Sequence, residues 1–386
     1  MMLKTNKGFT IMELLVAMAV ASTLLGMVYA VYIRSAKVYR SQGMQLEMQQ
    51  RARFALDHLR RDVANAGFNS SVNYEIDPNR CPGIGGLTVA RALTIAATSQ
   101  DQSVILPGVN KNMSSTTFTL FGDYAGKGRI FYTKAVMGSS IVISDDPVPD
   151  PANPLNTLTF EQQVSEAEWN HMFNAGSKRR VLRILDKNSY EILMPVASAD
   201  YATRTILVDG SPPQMSGTQG CGIQGFGEGL QVNSAMFLQY RVAVTNVSLG
   251  TTALIRQEVD VDGNLVDGTQ LVIADNVVEV NAYDWAFDES IDLRAPGAFT
   301  FYPTTDTQVL ARLSAVGSQV HNLRYLTLAV SVRAMDEDPD LVYLERVPNR
   351  MIRTYDVDNT LSGSARVMTV SAKIGLNNLA LRAVRQ

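Results

Sequence analysis

A chain of 386 residues that is 46% apolar and 18% charged has enough core-forming material for one large domain or two ordinary ones, which excludes the disordered class. Its formal charge of -3 is unevenly spread: residues 1–61 hold nine lysines and arginines against Glu13, Glu47 and Asp57, so the remainder is acidic. A basic stem followed by an acidic body places the two parts in different surroundings.

The first element follows Lys4 and Lys7. From Phe9 to Ile33 the chain is nearly all apolar, with Glu13 as its only charge. As a helix it spans about 37 Å, more than a hydrocarbon core of about 30 Å. Three readings compete. A secretory signal has the basic start and a small-x-small site at Ala19-Val20-Ala21, but the apolar run continues well past that site. A plain single-pass anchor leaves Glu13 unexplained, and its orientation is not set by charge, because Lys4 and Lys7 are balanced by Arg34, Lys37 and Arg40. In the third reading, cleavage between Gly8 and Phe9 creates a new amine close to Glu13, on this chain or on a neighbour. An intramembrane acid is tolerable when paired, and one charge pair in an apolar seam fixes a packing register that lipid leaves open.

Helical character continues beyond Ile33. Ala52, Ala55, Leu56, Leu59, Val63 and Ala66 follow Met48 at spacings that mark one helical face. Arg53–Asp57, Asp57–Arg61 and His58–Asp62 are four apart and suited to pairing on the other faces. No proline occurs before Gly67, the expected stop, and Gly26 and Gly43 are the expected weak points. The arginines 51, 53, 60 and 61 read as a solvated helix face, since only Phe54 interleaves with them where a nucleic-acid platform needs several aromatics.

From Phe68 the pattern changes to short β-rich runs. Strands are expected at Leu87–Ile95, Thr116–Phe121, Arg129–Thr133, Ile141–Ser144, Leu158–Phe160, Val181–Leu185, Tyr190–Met194 and Thr205–Val208. Beyond these come Ala235–Thr245, Ala253–Val259, Gln270–Ile273, Val277–Ala286, Tyr325–Arg333 and Ala365–Lys373, with Val259–Gln270 as a hairpin connection. Glu161–Asn174 is the one convincing helix of this half, and Gly210–Gly229 the best internal boundary. One long helix followed by strands is an α+β chain with an antiparallel body. The expected organisation is a leader at 1–8, a transmembrane half-helix at 9–33, an amphipathic half-helix at 34–67, a loop-rich β region at 68–229 and a more regular β region at 230–386.

Candidate chemistry is sparse. Cys81 and Cys221 lie in glycine-rich loops and are the chain's only cysteines, a candidate disulfide in an oxidising compartment. His58, His171 and His321 are far apart, and no nucleophile elbow or phosphate loop is present. Gly122–Gly128 (GDYAGKG) has the wrong glycine spacing for phosphate and reads as a turn. Asp260, Asp262, Asn264 and Asp267 offer alternating oxygens of the kind calcium takes, but Leu265 and Leu271 stand where an EF-hand needs Gly and Glu. Asp-Gly and Asn equally suit a hairpin turn, so this is a weak calcium candidate. Nothing points to a catalytic residue, a resident metal or a cofactor.

Lys-Gly-Phe-Thr-Ile-Met-Glu-Leu-Leu-Val-Ala (residues 7–17) resembles the processing and N-methylation motif of type IV pilins and type II secretion pseudopilins. Residues 51–68 (RARFALDHLRRDVANAGF), 273–288 (IADNVVEVNAYDWAFD), 322–333 and 335–340 (MDEDPD) are similar to stretches of minor pilins of the PilW type. The resemblance implies a pilin-like fold, cleavage by prepilin peptidase after Gly8, methylation of Phe9, and pairing of Glu13 with a neighbour's amine. It further implies a non-enzymatic, low-copy subunit that helps start assembly at a pilus tip and presents its body for adhesion, twitching motility or DNA uptake. The implied partners are other minor and major pilins, prepilin peptidase, the inner-membrane assembly platform and, before assembly, the membrane, with no nucleic acid bound directly. The implied location is the bacterial inner membrane, N-terminus cytoplasmic and body periplasmic, and then the pilus tip. A J-type minor pseudopilin of type II secretion, or a membrane-anchored adhesin using the same export route, are the alternatives. The resemblance to minor pilins does not extend to residues 69–269.

Overall fold

A computed structural model describes residues 10–81, 85–98, 113, 115–144, 164–174, 176, 178–186, 189–212, 227–246, 251–289, 299–305, 307–314, 318–339, 341, 353–357 and 363–381. The chain forms two compact units, Met1–Gln50 and Arg51–Gln386. Helix α1 (Ile11–Ala64) is unbroken, and its hydrogen-bonded backbone continues through Gly26 and Gly43. In the first unit α1 carries a continuous apolar surface, and every side chain from Thr10 to Arg40 is exposed.

In the second unit the last turns of α1 bury Ala52, Ala55, Leu56, Leu59 and Val63, the face that the spacing predicts. Gly67 ends the helix with φ 75°, and its N–H donates to the Phe121 carbonyl at 2.9 Å. An L-residue in that left-handed conformation costs roughly 1–2 kcal/mol. A Cβ there would also lie 3.1 Å from the Ala92 Cβ and 3.3 Å from Leu379 Cδ2, so glycine is required on two counts. The Ala64 carbonyl, one of those that a helix end leaves unpaired, accepts from Asn378 Nδ2 at 2.9 Å. Asn378 lies on α4 (Asn377–Leu381), so the far end of the chain caps the stem.

The body is antiparallel throughout its named strands. Strands β1 (Leu93–Thr98), β2 (Ser115–Gly122), β8 (Gln231–Asn246), β9 (Thr251–Val259) and β10 (Leu271–Asp275) pair in that order. Strand β8 is long enough to belong to two structures. Its later part pairs with β2 and β9, while Gln231–Ala235 pairs with β5 (Val181–Leu185), and Gln231 and Val232 pair with β3 (Phe131–Met137). With β4 (Ser140–Ser144), β6 (Glu191–Asp200) and β7 (Thr205–Val208), the pairings β8-β3-β4-β7-β6-β5-β8 close a six-stranded barrel. Closure removes free edges. Cross-strand partners such as Ile184 with Val232 and Ile192, Leu182 with Met194, and Ile141 with Ile206 are all fully buried. The opposite face of β5, β6 and β8 packs Val181, Leu193 and Ala235 on Tyr74, Ala90 and Phe121. Helix α2 (Glu166–Met172), started by a capping box between Ser165 and Glu168, sets Trp169 and Phe173 edge-on against Phe131.

A second sheet runs in the order β12 (Phe299–Tyr302), β11 (Val277–Asp288), β13 (Leu323–Arg333), β15 (Ala365–Gly375), β14 (Arg353–Tyr355). It packs on the first sheet where β11 meets β2, β8 and β9. The architecture is therefore the expected α+β, a long helix followed by a large antiparallel body. Strand ends shift, with β3 reaching Met137, β6 reaching Asp200 and β8 starting at Gln231, and β12 and β14 are additional strands; three further expectations change. Helix α2 is shorter than Glu161–Asn174 over the residues described, and α3 (Thr307–Ser314) and α4 add helices to this half. Strand β1 begins at Leu93 rather than Leu87, because Leu87 and Ala90 bond irregularly to Leu193 and Tyr74. The expected strand Leu158–Phe160 lies outside the described residues.

Asp62 corrects a fourth expectation. Rather than pairing outward with His58, it turns inward, accepting from Arg256 Nε at 2.8 Å and Tyr240 Oη at 2.7 Å. Tyr124 Oη donates to its backbone carbonyl at 2.8 Å. His58 instead lies 4.8 Å from the Phe54 ring. A partly buried, doubly hydrogen-bonded ion pair outweighs an exposed helical pair worth a few tenths of a kcal/mol.

Burial, with the Asp62 charge second, raises the Tyr240 and Tyr124 phenols well above their usual range, and burial pushes Tyr74 up to about 12. The unfolded chain loses these protons near pH 10, while the folded chain keeps them. Stability therefore falls as pH rises from about 10 towards about 12. Urea melts of the full chain across that range should show the decline, and Tyr240→Phe should flatten it. An equally steep decline in the variant would contradict the assignment.

Candidate functional site

The N-terminal segment is built around one local interaction. Thr10 precedes the first helical residue, and its Oγ1 accepts the Glu13 N–H at 3.3 Å. Glu13 Oε2 in turn accepts the Thr10 N–H at 3.0 Å and the Thr10 hydroxyl at 2.9 Å. This reciprocal capping box satisfies amides that a helix start leaves without partners. It also gives the carboxylate hydrogen bonds and the favourable end of the helix dipole. The Thr-x-x-Glu spacing that signals it is present in the sequence, but attention to Glu13 as a charge in an apolar run passes over it.

Beyond Glu13 the helix needs little polar help. Ser22 and Thr23 donate back to the Ala19 and Val20 carbonyls at 2.9 and 2.8 Å, hiding their hydroxyls against the backbone. Glu13, Ala17 and Ala21 are spaced four apart on one face. Met12, Val16, Val20 and Leu24 flank them to form a shallow apolar groove with the carboxylate in it. Among the described residues, α1 is the one helix long and apolar enough to cross a membrane. Gly8 and Phe9, the expected processing residues, lie outside the described residues.

The other candidates separate. Cys81 is fully buried and disulfide-bonded, with its N–H donating to the Glu191 carbonyl at 2.8 Å and its carbonyl accepting from Tyr74 Oη at 3.1 Å. Cys221 lies outside the described residues. Asp260 Oδ1 accepts the N–H groups of Asp262 and Asn264 at 3.0 and 2.8 Å, and Oδ2 accepts the Asn264 amide at 3.2 Å. Slight burial opposes ionisation of Asp260, but these donors prevail and hold its carboxyl below the usual range. Asp262 pairs with Lys178 at 3.2 Å.

Gly122–Gly128 is a turn closed on its own acid. Asp123 is buried and accepts from the Gly126 N–H at 2.8 Å and the Gly128 N–H at 3.1 Å, so these amides do not face outward for an anion. A Cβ at Gly126 would fall 2.5 Å from Asp123 Oδ1. His58, His171 and His321 stand on α1, on α2 and in a short 3-10 turn at Val320–Asn322. No group of three or more His, Cys, Asp or Glu side chains is placed to hold a metal among the described residues.

Residues 3–29 match the prokaryotic N-terminal methylation motif. No curated protein and no solved structure matches the chain. The motif and the long apolar helix support a type IV pilin-like protein, membrane-anchored through its N-terminal segment. Proteins with this motif are in general structural subunits that meet prepilin peptidase and other pilins.

The Asp260 turn, closed by its own N–H donors, should stand without a cation. Adding EDTA to the purified chain should leave its thermal midpoint unmoved. A drop that calcium restores would contradict this.

Proposed function

We propose that this chain is a low-copy minor pilin of the PilW type, which helps initiate a type IV pilus and carries its β-rich body at the filament tip. The observation that supports the reading is Glu13, an acid at the start of an apolar helix and inside the matched methylation motif. In this account prepilin peptidase cuts after Gly8 and the Phe9 amine is methylated. Before assembly the helix lies in the inner membrane, with its N-terminus cytoplasmic and its body periplasmic. During assembly the helix of a neighbouring pilin packs in the groove over Ala17 and Ala21, and that neighbour's N-terminal ammonium meets Glu13. Small residues let the two backbones approach, and the charge pair sets the register.

The role is non-catalytic. The body would be exported to an oxidising compartment, where Cys81 and Cys221 form a disulfide. Minor and major pilins and the inner-membrane assembly platform are the partners this role requires. Adhesion, twitching motility and DNA uptake are the outward functions it serves.

Mass spectrometry of the chain isolated from cells containing prepilin peptidase tests the reading at its first step. The mature N-terminus should be methylated Phe9, and the Cys81 and Cys221 peptides should separate only after reduction. An N-terminus just after Ala21 would mean a secretory signal, and retention of residues 1–8 would mean a plain anchor. Either result overturns the proposal.

A further inference from the structure

The second sheet carries a feature that the proposed role of Glu13 does not involve. Strand β12 lies at its edge, and Phe299 and Phe301 are 42% and 59% exposed on one face. Phe301 and Tyr325 are both cross-strand to Ala286, whose small side chain lets their rings meet above it at 6.0 Å between centroids. Phe299 adds a third ring 6.2 Å from Phe301. Gly375 lies opposite Tyr325 on β15 and has no side chain to place there, while Lys373, two residues earlier, covers one face of the Tyr325 ring.

Asp288, cross-strand to Phe299 and paired with Arg324 at 3.4 Å, borders the rings, and two further charged groups stand beside them. The Lys373 ammonium sits 3.6 Å over the Tyr325 ring centroid. Asp284 occupies an irregularity in β11 with φ 51°, is exposed, and accepts from Thr327 Oγ1 at 3.4 Å. Thr327 is cross-strand to Lys373, so the cation and the carboxylate flank the same residue. Bulges re-aim side chains, and a non-glycine residue held at positive φ is a form of strain often found at binding sites.

We infer that this aromatic strip is a binding site for a neutral glycan. The charges balance, Lys373 against Asp284 and Arg324 against Asp288, so the patch has no net charge to draw a polyanion or a basic peptide. The complementary partner is uncharged, with C–H surfaces for the exposed rings of Phe299 and Phe301 and hydroxyl groups for the borders. Lys373 supplies donors and Asp284 acceptors to those hydroxyls. The rings are tilted by 36° and 49° from one to the next, so they follow a twisted single chain and not a flat crystalline ribbon. The ligand class is therefore a soluble, helically twisted neutral glycan such as an α-linked glucan or mannan. The biological use rests on the proposal that the body is presented outward. The binding itself does not, and its failure leaves the processing of Phe9 untouched.

The full chain in a phosphocholine detergent, whose head group carries no sugar, should be passed over immobilised malto-oligosaccharides, α-mannan, microcrystalline cellulose and heparin. Binding to at least one soluble α-glycan is expected, and it should persist at high salt. Phe301→Ala should weaken it on the order of tenfold, as loss of a central aromatic anchor does. Phe301→Tyr should retain it, and Met335→Ala, at a remote exposed position, should leave it unchanged. Because Phe301 is exposed, its replacement should leave the melting curve in place. Absence of binding to both α-glycans overturns the inference. So does binding that Phe301→Ala leaves intact, or that is confined to cellulose or to heparin with a steep salt dependence.

Discussion

A carboxylate near the centre of a bilayer costs about 2.5–3.5 kcal/mol unless something hydrogen-bonds it or balances its charge. Glu13 has the first kind of relief within its own chain, from the Thr10 amide and hydroxyl at 3.0 and 2.9 Å. Among the described residues both contacts fall on one carboxylate oxygen, Oε2. The capping box thus makes the acid tolerable in an isolated helix without consuming it. In the proposed assembly, that division lets one residue serve both a waiting subunit and an assembled one.

The second unit provides what such a helix must carry. Its last turns are fastened by Asp62 to Arg256 and Tyr240, its terminal carbonyl by Asn378, and its exit by Gly67 on Phe121. These attachments come from β2, β8, β9 and α4, elements spread across the sequence. Strand β8 gathers them, since the same strand pairs into the barrel at its start and into the open sheet further on. Buried ion pairs such as Arg183 with Glu191 at 2.6 Å and Arg180 with Glu258 at 2.8 Å lie near this junction. Such a pair adds little net stability over apolar packing, but losing one partner leaves a buried charge uncompensated.

The helix was legible because its signals are local: no proline before Gly67, apolar residues at helical spacing, and glycine where the backbone turns left-handed. Strands such as Val181–Leu185 and Thr205–Val208 were legible for the same reason, as compact β-branched runs between turn residues. Barrel closure was not, because it depends on which strands β8 meets, and register is a tertiary property. The short edges β12 and β14 carry too few residues for a period to show. Asp62 has a local partner by spacing and a distant one by packing, and only packing decides between them. The aromatic strip was hidden for a similar reason, since Phe301 and Tyr325 meet only through their shared opposite, Ala286. Of the processing motif, Gly, Phe and Glu were readable in the sequence, whereas the reciprocal bonding of Thr10 became plain only in three dimensions.

The central claim is that Glu13 acts in assembly through its charge and not as an incidental polar residue in an anchor. The direct measurement is the amount of Glu13→Lys chain in sheared filaments relative to the amount in membranes. The account predicts normal membrane insertion and loss from the filament fraction. Filament recruitment equal to that of the native chain would contradict it and leave a membrane-anchored binding protein as the better description.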